Sequence, residues 1–318
     1  MVLTEPHHTK RAILIAGPTA SGKSALGLAV AQRYGGEIVN ADSMQVYRAL
    51  RVLTARPSAD DEQVVPHHLY GVLEGDEACS AGKWSRMALE IIRGIEARGR
   101  VPVILGGTGL YFRALTEGLS PIPPVPDDVR QAVRAEVAEA GDNAHALLVE
   151  ADPDLAAVIR PTDKQRIARG IEVARGTPKP LSQWHKEPPN PLLTGNLAKI
   201  VLAPDRDWLR ARCDKRFELM LEQGALEEVR ALAAEGLDAS LPLMKALGLR
   251  PLADYVSGKI ELSEAIAKGQ AETRAYAKRQ ETWFRTQMIA WNRFSAQDSE
   301  RLKEEIFSFI DGMGLTDA

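Results

Sequence analysis

Residues Gly17-Pro18-Thr19-Ala20-Ser21-Gly22-Lys23-Ser24 fit the pattern G-x-x-x-x-G-K-[ST] at every fixed position. Such a set can cradle phosphate. Glycines let the backbone wrap an anion without Cβ clashes, and the N–H groups of the loop and of the following helix point at phosphate oxygens. Lys23 adds a point charge, and Ser24 offers a hydroxyl ligand to Mg²⁺. The loop specifies a polyphosphate or diphosphate, not a nucleotide. A glycine-rich strand-to-helix turn that binds nothing is the other reading, and context must decide between them.

A nucleoside triphosphatase with this loop also places an acidic residue at the end of a second apolar strand to hold Mg²⁺. Here Val101–Leu105 ends in Gly106-Gly107-Thr108-Gly109, with no carboxylate. The carboxylate at a suitable strand end is Asp42, after Ile38-Val39-Asn40-Ala41. Strand C-termini line the ligand crevice of a parallel sheet, so Asp42 and Thr108 should both face whatever the loop holds. The alternatives are an exposed turn aspartate and a helix-capping threonine.

A third cluster is cationic. Arg274, Lys278 and Arg285 recur at spacings of four and seven and share a helix face, with Arg279 beside it and Trp283 and Phe284 close by. In a chain of net charge −3, four cations within twelve residues mark a polyanion site, or else a solvated basic helix with core aromatics. Lys164–Arg169 poses the same choice. His67 and His68 would point to opposite faces of a strand and cannot jointly chelate a metal.

These residues need a frame. Apolar Ala12–Ala16 reads as a buried strand and Lys23–Tyr34 as a helix. Glu37–Ala41 is a second strand and His68–Leu73 a possible third. Ala81–Arg98 is an amphipathic helix, Val101–Leu105 a strand, and Tyr111–Glu117 opens a helix. This alternation predicts an α/β fold, a parallel sheet flanked by helices. It breaks at Pro121–Pro126, four prolines in six residues. Helical stretches follow at Asp127–Ala140, Ala144–Glu150, Pro153–Ile159 and Asp163–Arg175. A proline-rich run, Thr177–Leu193, then leads into strand-like Leu197–Leu202. Residues 119–196 therefore read as a helical insertion in a core made of 1–118 and 197–318. From Asp205 onward the pattern is helical, with a long helix over about Glu261–Asn292.

The composition agrees. At 318 residues the chain exceeds one small domain. Apolar residues at 45% and charged residues at 26% exclude a disordered or collagen-like chain. No apolar run nears the roughly 18–20 residues of a membrane span. Cys79 and Cys213 give neither a disulfide framework nor metal-ligand spacing. With no apolar signal-peptide core in the first residues, a cytoplasmic enzyme is expected.

Five stretches together resemble the tRNA dimethylallyltransferases, also called tRNA isopentenyltransferases: Gly17–Ser24 (GPTASGKS), Asp42–Arg48 (DSMQVYR), Gly106–Tyr111 (GGTGLY), Asp163–Val173 (DKQRIARGIEV) and Lys278–Arg285 (KRQETWFR). The first alone is generic; the second with the third is specific, and the last more so. The resemblance implies a P-loop-like fold and transfer of a dimethylallyl group from dimethylallyl diphosphate to N6 of adenosine 37 of tRNA, with Mg²⁺ and without ATP hydrolysis. On that basis Asp42 is the general base and Thr108 orients the reacting nitrogen. Gly17 through Ser24 hold the diphosphate, with Lys23 stabilising its charge and Arg216 as a further contact. Asp42, Ser43, Met44 and Gln45 meet the flipped adenine and nearby nucleotides. Gln165, Arg166, Ile167, Ala168 and Arg169, then Lys245, Gly248 and Arg250, then Lys278, Arg279, Gln280, Trp283 and Arg285 line the RNA. Arg130 lies near the anticodon loop, and the insertion clamps the anticodon arm. A monomer is expected.

The chain departs from the family pattern at Leu249, where a tyrosine is common, and at Arg51–Pro57. A small-molecule kinase, a prenyltransferase acting on free AMP and a non-catalytic tRNA-binding module are the competing functions.

Overall fold

The computed structural model describes residues 6–236, 241–295 and 299–314. Strands β1 (His7–Ala16), β2 (Gly36–Asn40), β3 (His67–His68), β4 (Val101–Gly106), β5 (Leu193–Leu202) and β6 (Asn292–Phe294) form one sheet in the order β3-β2-β4-β1-β5-β6. Every pairing among them is parallel. β2 and β4 are buried along their whole length, as a parallel sheet covered on both faces requires.

Between the strands run α1 (Lys23–Arg33), α2 (Ala59–Val64), α3 (Ala81–Ala97) and α4 (Gly109–Thr116). A separate group follows: α5 (Asp127–Ala140), α6 (Ala144–Ala151), α7 (Pro153–Ala156), α8 (Lys164–Gly176) and α9 (Leu181–Trp184). After β5 come α10 (Arg206–Glu222), α11 (Ala225–Ala234), α12 (Leu249–Val256), α13 (Leu262–Gln287) and, beyond β6, α14 (Ser299–Gly312).

The sheet's core joins Ile13, Ile15, Ile38, Val103 and Ile200 to Leu26 and Val30 of α1 and to Ile306 and Ile310 of α14. α3 and α4 meet through Trp84 and Tyr111, whose rings stack at 4.3 Å. The chain falls into two compact units: Glu117–Leu192, and His7–Thr116 joined to the chain from Leu193 onward. The helical unit has its own apolar core, built on Val133, Val137, Leu148, Leu155, Ile167 and Ile171.

Several elements depart from the sequence expectation, among them β1, which begins at His7 rather than Ala12. β3 is only His67–His68, because Leu69 turns to φ 63° and ends the extension. β5 starts at Leu193, inside the proline-rich run, where Leu193 finds His7 as its partner in the ladder. α13 stops at Gln287, short of Asn292, and the chain then re-enters the sheet as β6.

Candidate active site

The phosphate loop joins β1 to α1. Gly22, just before α1, sits at φ 87° and supplies no side-chain cap, and no acidic residue stands in the first turn. The helix's opening N–H groups and positive dipole end are thereby left for an anion. Ser21 Oγ is buried without a hydrogen-bond partner, a donor that an anion's oxygen would satisfy. Lys23 Nζ folds over the loop and donates to the Pro18 carbonyl at 3.2 Å. Two arginines of α10 brace the same turn: Arg212 Nε donates to the Ala20 carbonyl at 2.9 Å, and the Arg216 guanidinium donates to the Thr19 hydroxyl. Burial lowers the Lys23 ammonium to about 8; nearby Asp42 opposes that shift and Arg216 adds to it. Burial also lowers Arg216, whose guanidinium nevertheless stays charged.

Asp42 follows β2 and is oriented by a residue the sequence did not single out. Asn40 is fully buried. Its Oδ1 accepts the Asp42 N–H at 2.8 Å, and its Nδ2 donates to the carbonyls of Asp42 and Leu69 at 3.0 Å. Asp42 Oδ1 accepts the Met44 N–H at 2.9 Å, which leaves Oδ2 for other work. Thr108 Oγ1 accepts the Ser43 N–H at 2.9 Å and so ties the end of β4 to the end of β2. Tyr276 of α13 joins them. Burial, then the charge of Asp42, pushes its phenol up, while Arg279 and a hydrogen bond with Thr108 pull the other way.

Asp42 and Thr19 of the loop line one cavity of about 230 Å³. Its polar wall includes Thr19, Asp42, Ser43, Arg216, Lys245 and Arg279. Its apolar wall is Met44, Leu53, Phe217, Met220 and Leu247. The apolar wall went unseen in the sequence because it comes from loops and from the inner face of α10, with no shared spacing.

The loop carrying Leu53 hangs on one carboxylate. Glu228 of α11 accepts the N–H groups of Arg51, Val52 and Leu53 at 2.9, 2.8 and 3.0 Å. Removing it strands three donors, so Glu228→Ala should cost about 1–3 kcal/mol of stability. Urea unfolding would show it; a shift under a few tenths of a kcal/mol would mean water replaces the carboxylate without loss.

The glycines of Gly106–Gly109 explain why this motif and Lys278–Arg285 occur in one chain. A Cβ at Gly106 would stand 2.1 Å from the Ala41 carbonyl oxygen, one at Gly107 2.2 Å from Gln280 Nε2, and one at Gly109 2.0 Å from Trp283 Nε1. The turn after β4 is bare so that β2 and α13 can press against it.

The family model for IPP transferases matches residues 45–287. The chain belongs to that family. A second model, isopentenyl transferase, matches residues 10–67. A tRNA dimethylallyltransferase of Parvibaculum lavamentivorans is 68% identical over 96% of this chain and 98% of its own, and one of Nitrobacter hamburgensis is 51% identical over 91% and 92%. Among solved structures, the full-length tRNA isopentenylpyrophosphate transferase of Bacillus halodurans superposes with a TM-score of 0.69 at 33% identity, covering 96% of this chain and 97% of its own. A eukaryotic dimethylallyltransferase acting on tRNA gives 0.81 at 26% identity, over 96% and 80%.

In this IPP transferase the residues expected on RNA divide in two. Lys245, Arg250, Lys278, Arg279 and Arg285 are exposed, as are Gln165 and Arg166 of the helical unit. Arg130, Arg166 and Arg169 pair with Asp127, Asp163 and Glu172. The first two are surface pairs and worth little, so a phosphate can compete for Arg130 and Arg166, whereas the Arg169 partner, Glu172, is buried. Others are partly or fully buried. Ile167 is fully buried in the helical unit's core, with Ala168 packed against it. Gly248 is buried, its N–H bonded to Glu272 Oε2 at 3.0 Å and its missing Cβ replaced by the Phe217 ring. Gln280 is buried with both ends of its amide bonded. Ile167, Gly248 and Gln280 thus pack inside the protein, in a core or against a neighbouring turn. Trp283 is half-buried, its Nε1 against Gly109. Gln45 Nε2 is spent on the carbonyls of Thr54 and Ala55, both at 2.8 Å. Leu249, where the family commonly has tyrosine, is buried in the apolar face of α12.

Among the described residues, no group of three His, Cys, Asp or Glu side chains could hold a metal. Ser24, exposed in the first turn of α1, is the hard oxygen the loop offers. That donor set fits Mg²⁺ in its usual mode, carried mainly by phosphate oxygens and water. Among the described residues no helix is long and apolar enough to cross a membrane.

Proposed function

We propose that this enzyme transfers a dimethylallyl group from dimethylallyl diphosphate to N6 of adenosine 37 in tRNA, releasing diphosphate. The observation that carries the reading is one cavity lined both by the Asp42 carboxylate and by Thr19 and Arg216, which brace the anion loop. The N6 lone pair is conjugated into the ring and makes a poor nucleophile. As it attacks the allylic carbon, the carbon–oxygen bond to diphosphate breaks and nitrogen becomes positive. Asp42 takes the N6 proton. Lys23, Arg216 and the loop amides meet the negative charge growing on the leaving group. Mg²⁺ held at Ser24 supplies further charge neutralisation there when bound. Thr108, with Tyr276 beside it, orients the nitrogen.

A base inside a stacked anticodon loop cannot reach this cavity, so the adenosine is extruded into it. We assign the RNA backbone to Lys278, Arg279, Arg285, Lys245 and Arg250, and to Arg130, Gln165, Arg166 and Arg169 of the helical unit. The exposure and charge of Lys245, Arg250, Lys278, Arg279, Arg285 and Arg166 support this. We take the enzyme to be monomeric and cytoplasmic.

The test is mass spectrometry of nucleosides from tRNA incubated with the enzyme, Mg²⁺ and dimethylallyl diphosphate. N6-(dimethylallyl)adenosine should appear, with no ATP needed. Lys278→Ala with Arg285→Ala should weaken tRNA binding and flatten its salt dependence. Robust ATP turnover without prenyl transfer would favour a kinase, and a rate untouched by the double substitution would favour free AMP as acceptor.

A further inference from the structure

We propose that Gln280 is a positioning residue for prenyl transfer: buried on α13, it ties the tip of the anion loop to the turn carrying Thr108 and so sets the distance between leaving group and proton acceptor. The inference rests on the activity proposed above and deepens it.

One amide makes the tie. Gln280 Oε1 accepts the Thr19 N–H at 2.8 Å, and Gln280 Nε2 donates to the Gly107 carbonyl at 2.8 Å. Gln280 is only 5% exposed, although its neighbours Lys278 and Arg279 face out. The side chain occupies space that only glycine leaves, since a Cβ at Gly107 would lie 2.2 Å from Nε2. That same Cβ position is 3.4 Å from Asp42 Oδ2, so the bridge passes beside the base. On the loop side Thr19 is held twice, its amide by Gln280 and its hydroxyl by Arg216. The roots of the two turns are already joined, because the Gly17 N–H donates to the Gly106 carbonyl at 3.3 Å. Gln280 joins the tips.

The chemistry needs such a spacer. Nitrogen and allylic carbon must approach to roughly 3–3.5 Å in line, and an error of about 1 Å can cost about 10²-fold. Asp42 and Thr108 locate the nitrogen, whereas the loop locates the diphosphate and through it the carbon. A glutamine fits the task because it offers one acceptor and one donor from a planar group without charge, beside a carboxylate and an anion site.

The experiment compares wild type with Gln280→Ala, Gln280→Glu, Gly107→Ala and the double variant Gly107→Ala/Gln280→Ala. It measures kcat, KM for each substrate, tRNA Kd against salt, and thermal unfolding. Each single change should lower kcat about 10²-fold, with tRNA Kd and its salt slope within about twofold. Gln280→Glu keeps the size and the acceptor for Thr19 but sets oxygen against the Gly107 carbonyl, so it should fall with the alanine variant. If Gln280→Ala does not fold, Gln280→Glu and Gly107→Ala decide. The double variant should be no slower than the slower single one, because both break one device. Losses that multiply to about 10⁴-fold would overturn the coupling. Weakened tRNA binding with kcat intact would make Gln280 an RNA contact, and a lowered melting temperature with kcat intact would make it merely structural; either sinks the proposal. Failure of wild type to prenylate tRNA at all would instead remove the activity on which it rests.

Discussion

Asp42→Ala should cut turnover by about 10²–10⁴-fold, the span a positioned general base contributes. The loss should fall on kcat, because only Oδ2 faces the reaction while Oδ1 is engaged with the Met44 N–H. Asp42→Asn is the sharper test. It preserves shape and the contact to Met44 but accepts no proton, so it should be nearly as slow as alanine. Binding of tRNA should change by less than about threefold in both, since neither substitution alters the exposed cations assigned to the RNA. Single-turnover prenyl transfer, with Kd measured separately by filter binding, resolves the two effects. If Asp42→Asn kept most of its rate, the proton would have to leave by another route, and the pairing of carboxylate with anion loop would lose its meaning. Asn40 offers a graded control. Asn40→Ala leaves the carboxylate in place but removes the bonds that aim it, so its kcat should lie between those of wild type and Asp42→Asn.

The anion loop, Asp42 and Thr108 were legible in the sequence because each sits at the end of an apolar run whose length already says buried strand. A parallel sheet puts such ends on one edge. What the pattern could not give was the direction of side chains one residue apart on α13. Lys278 and Arg279 face out and Gln280 faces in, yet all three are polar, so hydrophobic periodicity carries no signal there. Ile167 shows the opposite case: a motif matched as a block includes an apolar residue whose side chain lies in the core of its unit. β6 was missed because Asn292–Phe294 is three residues at a sheet edge, too short for alternation. Asn40 looked like one more residue of a strand. Only the fold reveals that its amide is the mount for Asp42.

Lys23→Met should lower turnover by about 10²–10³-fold, the usual loss when one donor to a developing anion is removed, and it should also erase a pH signature. In the folded protein burial brings Lys23 to about 8 from an ordinary value of 10.5. Between those values the unfolded chain holds a proton that the folded one has shed. The contribution of this group to stability therefore rises with pH across that window and is at its least favourable below it, where the buried ammonium is charged. Diphosphate binding runs the other way. An anion in the loop favours the charged amine and raises its pKa, so above pH 8 binding must take up a proton. Affinity should fall by up to about tenfold per pH unit there. Calorimetry of an alkyl diphosphate, whose own phosphate pKa values lie below this window, in two buffers of different ionisation enthalpy would read that uptake directly. Wild type at pH 8.5–9.5 should show a fraction of a proton rising toward one, and Lys23→Met none. Equal uptake in both proteins would assign the titrating group to another residue and remove Lys23 from contact with the leaving group.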